Sequence, residues 1–196
     1  NSPNLNMTLD LDSSSTIEPM ELGEQIWNDN GRLTLLNCYN IGLSGGIPES
    51  IGDLTELTQL GLTNNNLSGE IPESIGNLTN LTQLNLANNT LSGSVPDTMG
   101  NLKSLTYLIL SNNEFSGSIP NSIGELSVLN TFLADSNNFS GTISDDICTI
   151  YPNIRYFNLA GNKFCQSLPT CLDTPEKIGY QNCDTSCTTG YENNNG

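Results

Sequence analysis

Residues 57–80, LTQLGLTNNNLSGEIPESIGNLTN, are nearly restated by residues 81–104, LTQLNLANNTLSGSVPDTMGNLKS. At the same 24-residue step the frame extends back to Leu33 and on to Leu105. It then reaches Leu129, in a copy one residue longer, and a sixth, decaying copy from Ile154. Self-similarity at a period of about 20 to 29 residues restricts a chain to a solenoid, because one such unit cannot bury its apolar face alone and must stack on its neighbours.

The letters that recur within the unit have packing reasons. Leu60 and Leu62 stand two apart, so a short strand turns both inward while Gln59, Gly61 and Thr63 point the other way. Asn65 recurs as Asn89, Asn113, Asn137 and Asn162. A buried Asn carries two donors and an acceptor, enough to satisfy backbone groups freed where each coil turns a corner. Leu67 plugs the core, Ser68 and Gly69 turn the chain, and Ile71-Pro72 is expected to form a second extended run. Ile75, Leu78 and Leu81 close the coil. The informative positions are the ones that vary.

The segments LSGGIPESIGDL, LSGEIPESIGNL, LSGSVPDTMGNL and FSGSIPNSIGEL, with a degraded FSGTISDDICTI, carry the pattern LSGxIPxxIGxL. Over roughly residues 33–172 the chain therefore resembles the plant-type extracellular leucine-rich repeat family. The resemblance implies an α/β solenoid, a right-handed superhelix with a concave parallel β-sheet and about six 24-residue repeats between caps. It further implies a secreted or cell-surface recognition module, like receptor ectodomains and polygalacturonase-inhibitor-like proteins, whose curved sheet binds protein, peptide or glycan. The paired-cysteine motif usual in the N-terminal cap of plant members is missing from residues 1–32.

The expected organisation is an N-terminal cap over residues 1–32 and repeats over 33–56, 57–80, 81–104, 105–128, 129–153 and 154–172. A cysteine-containing cap and a polar tail follow over 173–196. Residues 5–12, LNMTLDLD, alternate apolar and polar as a capping strand would. Residues 18–27, EPMELGEQIW, predict a helix with Trp27 as a lid on the first coil.

Cys38 stands where the next unit has Leu62, so it is expected inside the core as a small hydrophobe. Cys148, Cys165, Cys171, Cys183 and Cys187 crowd the other end, where a solenoid needs stapling, and imply an oxidising compartment. Cys148 and Cys171 fall on the same loop side of adjacent coils, which pairs them and leaves Cys165 to Cys183 or Cys187. CDTSC is half of a zinc ligand set and the chain has no His, so no metal and no cofactor are expected.

Five Lys+Arg against 21 Asp+Glu give a formal charge of −16, which repels nucleic acid, anionic lipid and polyanionic glycan. No apolar run reaches the roughly 18 residues of a membrane span. Asn6, Asn66, Asn77, Asn80, Asn88 and Asn138 head N-x-[ST] triplets, which also point outside the cell. Asn77 and Asn80 sit in the loop before a strand; Asn66 and Asn138 stand beside core positions that could mask them.

Without His, Ser-His-Asp and Cys-His catalysis is excluded, and Asp145-Asp146 reads as a charged loop; the chain is expected not to be an enzyme. The concave sheet is the expected place for recognition. There Gln83, Asn85 and their neighbours make a polar half, whereas Tyr107, Ile109, Leu133 and Tyr156 predict one apolar-aromatic cluster with Asp135 and Asn158 beside it. The expected function is recognition of a protein or peptide partner at that cluster. The alternatives are a structural or adhesive spacer and, on the file Ser44, Ser68, Ser92, Ser116 and Ser140, an ice-binding face. Turn chemistry already demands Ser-Gly in that file, and Glu70 interrupts the row beside it.

Overall fold

The computed structural model describes residues 23–164, 168–172 and 178–182. Strands numbered in chain order are β1 (Glu24–Trp27), β2 (Leu33–Asn37), β3 (Ser44–Gly45), β4 (Gln59–Gly61), β5 (Asn66–Gly69) and β6 (Gln83–Asn85). They continue as β7 (Thr90–Gly93), β8 (Tyr107–Ile109), β9 (Glu114–Gly117), β10 (Thr131–Leu133), β11 (Asn138–Phe139) and β12 (Tyr156–Asn158). One sheet runs β1-β2-β4-β6-β8-β10-β12 and a second runs β11-β9-β7-β5-β3. Every pair is parallel except β1 with β2.

Between the sheets lies the leucine spine. Leu36, Leu60, Leu84 and Leu108 are dry, and so are Leu43, Leu67 and Leu91 one step along the coil. At that second position the later coils switch to Phe115, Phe139 and Phe164, whose rings stack with centroids 6.0 and 6.3 Å apart. The asparagine file behaves as a ladder. Asn89 Nδ2 donates to the carbonyls of Leu62 (2.9 Å) and Leu86 (3.1 Å), while its Oδ1 accepts from Leu67 N–H (3.0 Å). Asn65, Asn113, Asn137 and Asn162 repeat the arrangement, each tying one coil to the coil before it.

Beyond Asn162 the ladder ends on a different residue type. Gln181 Nε2 donates to the carbonyls of Leu159 (2.9 Å) and Ile178 (3.0 Å), and its Oε1 accepts from Phe164 N–H (3.2 Å). Its longer side chain reproduces the Asn bonds from a remnant coil that the repeat pattern does not reveal.

The second sheet forms just before Ile71-Pro72, where the sequence suggests an extended run that cannot join a ladder. Asn66–Gly69 and its equivalents pair, whereas Pro72 caps a 3-10 turn, Glu73–Asn77. The reason is local: proline has no N–H for a ladder, and Pro72 stays extended, at φ −68° and ψ 146°, as the residue that leads into the turn.

The N-terminal helix is not formed at residues 24–27. These residues make β1, antiparallel to β2, joined by a tight reversal in which Asn28 Oδ1 accepts from Asn30 and Arg32 N–H (3.0 Å each). Gly31 takes φ +67° there. The Asn30-Gly31 turn signal and the strand-forming run Gln25-Ile26-Trp27 outweigh the helical spacing, because β2 offers an open edge to pair with. Trp27 aligns with core residue Leu33 yet stays 43% exposed, so it overhangs the first coil and does not seal it. The expected capping strand over residues 5–12 lies outside the described residues.

Cys38 is fully buried, as its place in the repeat predicts, and burial pushes its thiol up to about 12. Cys148–Cys171 is a disulfide with Cα atoms 5.5 Å apart, joining the short helix α1 (Ile147–Ile150) to the turn Thr170–Leu172. Cys165, Cys183 and Cys187 lie outside the described residues.

Candidate interaction face on the concave sheet

Register places two rows of side chains on the outward face of the large sheet. Leu35, Gln59, Gln83, Tyr107, Thr131 and Tyr156 are aligned in one; Asn37, Gly61, Asn85, Ile109, Leu133 and Asn158 form the other. With strands about 4.8 Å apart, Ile109 and Leu133 are immediate neighbours, and Tyr107 and Tyr156 stand two strands apart with Thr131 between them. Tyr107 is 40% exposed and Tyr156 53%, whereas Ile109 and Leu133 are half-buried. The four expected residues therefore share one contiguous patch.

Thr131 was not legible as part of it. It belongs to the outward row, between Tyr107 and Tyr156, but is only 4% exposed. Arg155 was also missed: its guanidinium carbon lies 5.4 Å from the Tyr156 ring centroid, a cation–π distance. A lone Arg before the strand motif carries no sequence signal for that contact.

The polar members divide by task. Asn85 Oδ1 accepts from Ala87 N–H (3.1 Å) and Asn158 Oδ1 from Ala160 N–H (3.0 Å), so both shape the strand exit. Gln83 is exposed beside Tyr107. Asp135, half-buried, accepts a 2.6 Å hydrogen bond from Ser111 Oγ on the preceding coil. A second apolar pair, Ile26 with Leu35, sits at the β1 edge, where the sequence suggests only polar and small residues.

Four residues three places beyond the second row, Asn40, Asn64, Asn88 and Asn112, together with Ser136, have φ between 52° and 58°. Their asparagines are explained by a left-handed corner, which Asn tolerates better than other non-glycine residues.

Of the glycan acceptors, Asn66, Asn77, Asn80 and Asn88 are exposed, and Asn138 is intermediate. Asn66 is thus not masked by the core: its strand is pinned through its backbone N–H, which donates to the Leu43 carbonyl (2.7 Å), and its side chain points out. Asn6 lies outside the described residues.

Two stacked parallel sheets wound by a 24-residue coil and crossed by an asparagine ladder define a solenoid repeat protein with an open sheet face. The family model for the leucine-rich repeat region matches residues 24–149. The chain belongs to the leucine-rich repeat family, in its plant-type extracellular branch.

Solved structures from Arabidopsis thaliana are similar to it. The BIR2 ectodomain is 37% identical with a TM-score of 0.57, the match covering 60% of this chain and 62% of that one. A chain of the BIR3–SERK2 complex is 33% identical at a TM-score of 0.63, covering 85% and 86%. A chain in the structure of the receptor kinase HAESA with the peptide hormone IDA and the co-receptor SERK1 is 35% identical at 0.66, covering 73% and 25%. This chain thus spans less than two thirds of the BIR2 ectodomain and a quarter of that last chain. No curated protein sequence matches it. Among the described residues, no helix is long and apolar enough to cross a membrane.

Proposed function

We propose that the chain is a non-catalytic extracellular recognition module that holds a protein or peptide partner against its large sheet, at Tyr107, Ile109, Leu133 and Tyr156. One observation carries this: exposed aromatic rings and half-buried aliphatics are gathered on neighbouring strands of a face that, apart from Ile26 and Leu35 at the β1 edge, is otherwise furnished with Asn, Gln, Thr and Gly. Tyrosine anchors are enriched in interaction hot spots, and a contiguous exposed apolar patch marks an interaction surface. The solved relatives support the class of partner, since one structure holds the peptide hormone IDA and another is a complex of two proteins, BIR3 and SERK2. Secretion with glycans on Asn66, Asn77, Asn80 and Asn88 accompanies this reading, because those side chains are exposed.

The test uses a partner recovered from native extracellular material and titrated against the purified chain. Tyr107→Ala with Leu133→Ala is expected to weaken binding about 30-fold or more, since each hot-spot truncation costs about 2 kcal/mol. An unchanged affinity, with a circular-dichroism melt showing the variant folded, defeats the reading and leaves the spacer role.

A further inference from the structure

We propose that the partner on this sheet presents an apolar side chain followed two residues on by a lysine or arginine, the cation seated on the Asp135 carboxylate. This rests on the concave-face reading and adds the partner's charge pattern to it.

The distribution of charge carries the inference. The chain has 21 Asp+Glu, yet along the outward positions of β2, β4, β6, β8, β10 and β12 and the three residues after each, Asp135 is the single carboxylate. It stands two residues beyond Leu133 on the same face, about 6.6 Å along an extended chain, which matches the i, i+2 spacing of an extended ligand. Ser111 Oγ holds Oδ1 at 2.6 Å, and Oδ2 makes no hydrogen bond among the described residues. Nor, among the described residues, does a cation answer it. The ion pair among the described residues is Lys103 with Glu125, and Arg155 lies over Tyr156. Arg155 repels a second cation from that end of the patch and so directs a ligand's positive charge toward Asp135. A formal charge of −16 draws cationic partners in from a distance, and among the described residues Asp135 supplies the fixed seat beside the apolar patch.

The Ser111–Asp135 bond could simply fasten one coil to the next. Asp135→Asn separates the two roles, because the amide oxygen still accepts from Ser111 while the charge is gone.

The experiment measures fluorescence anisotropy of labelled, end-capped peptides of Ser/Thr/Gly background carrying Leu and, two residues on, Lys, Gln or Glu. The wild type is expected to bind the Lys peptide roughly fivefold more tightly than the Gln peptide, the upper end for a partly exposed ion pair, and the Glu peptide least. Asp135→Asn is expected to bind Lys and Gln peptides equally, with Gln affinity and melting temperature unchanged. A Lys preference that survives in Asp135→Asn, or is missing in the wild type, overturns the proposal while the face stands, provided Tyr107→Ala with Leu133→Ala still abolishes binding. If that double variant keeps both affinity and preference, or no peptide binds the wild type up to about 1 mM, the concave-face reading falls and takes the proposal with it.

Discussion

Cys38 fills the place that Leu62 fills one coil later, and burial there disfavours its thiolate. Its pKa is pushed from 9.0 to about 12. The unfolded chain therefore sheds this proton first as pH rises, so the contribution is present below pH 9.0 and is lost from there up to about 12. Denaturant midpoints should fall more steeply across that window in the wild type than in Cys38→Ala, and peptide mapping should find Cys38 unalkylated until the protein unfolds. Its placement was legible from register alone, because the repeat assigns each position a side. The corner asparagines were less so. Asn64 and Asn112 stand three residues past the outward rows, and sequence spacing cannot distinguish an amide displayed to a ligand from one chosen for its positive φ.

The asparagine ladder makes the coils into one element. Asn113 Nδ2 donates to the Leu86 (3.0 Å) and Leu110 (3.1 Å) carbonyls, and its Oδ1 accepts from Leu91 N–H (3.0 Å). Asn113→Ala strands these buried groups and is expected to cost about 2 to 4 kcal/mol in a urea melt. Asn113→Asp should cost more, since its carboxylate faces the same two carbonyls. A loss below about 0.5 kcal/mol in both would show that the coils hold without the ladder. The Asn role was readable because five copies repeat it; Gln181, which closes the file once, has no second copy to compare. The same limit misassigned residues 24–27, where helical spacing competed with a pairing partner that exists only in three dimensions.

As a whole the molecule is a stack of near-identical layers carrying −16 with few cations to offset it. The Lys103–Glu125 pair, 2.6 Å long, joins two exposed side chains and adds little. Self-repulsion among exposed carboxylates such as Glu49, Glu73 and Asp97 opposes compaction. Raising ionic strength from about 0.01 M to about 0.15 M shortens the Debye length from about 30 Å to about 8 Å, so the melting temperature should climb over that range; a flat or falling curve would mean the repulsion is negligible. The fold was legible because the pattern is periodic. The patch was legible only in outline, because Tyr107 and Leu133 stand out as departures from the repeat whereas Thr131 and Arg155 acquire their roles from neighbours. The reversed strand β1 has one more consequence, for ancestry: its antiparallel pairing leaves no slot at that margin for another copy of the unit, whereas any interior block of 24 residues meets equivalent surfaces above and below. A gene for this chain can therefore gain or lose length by duplicating or excising whole modules from its middle, with each event leaving β1 and Gln181 on the layers they already fit.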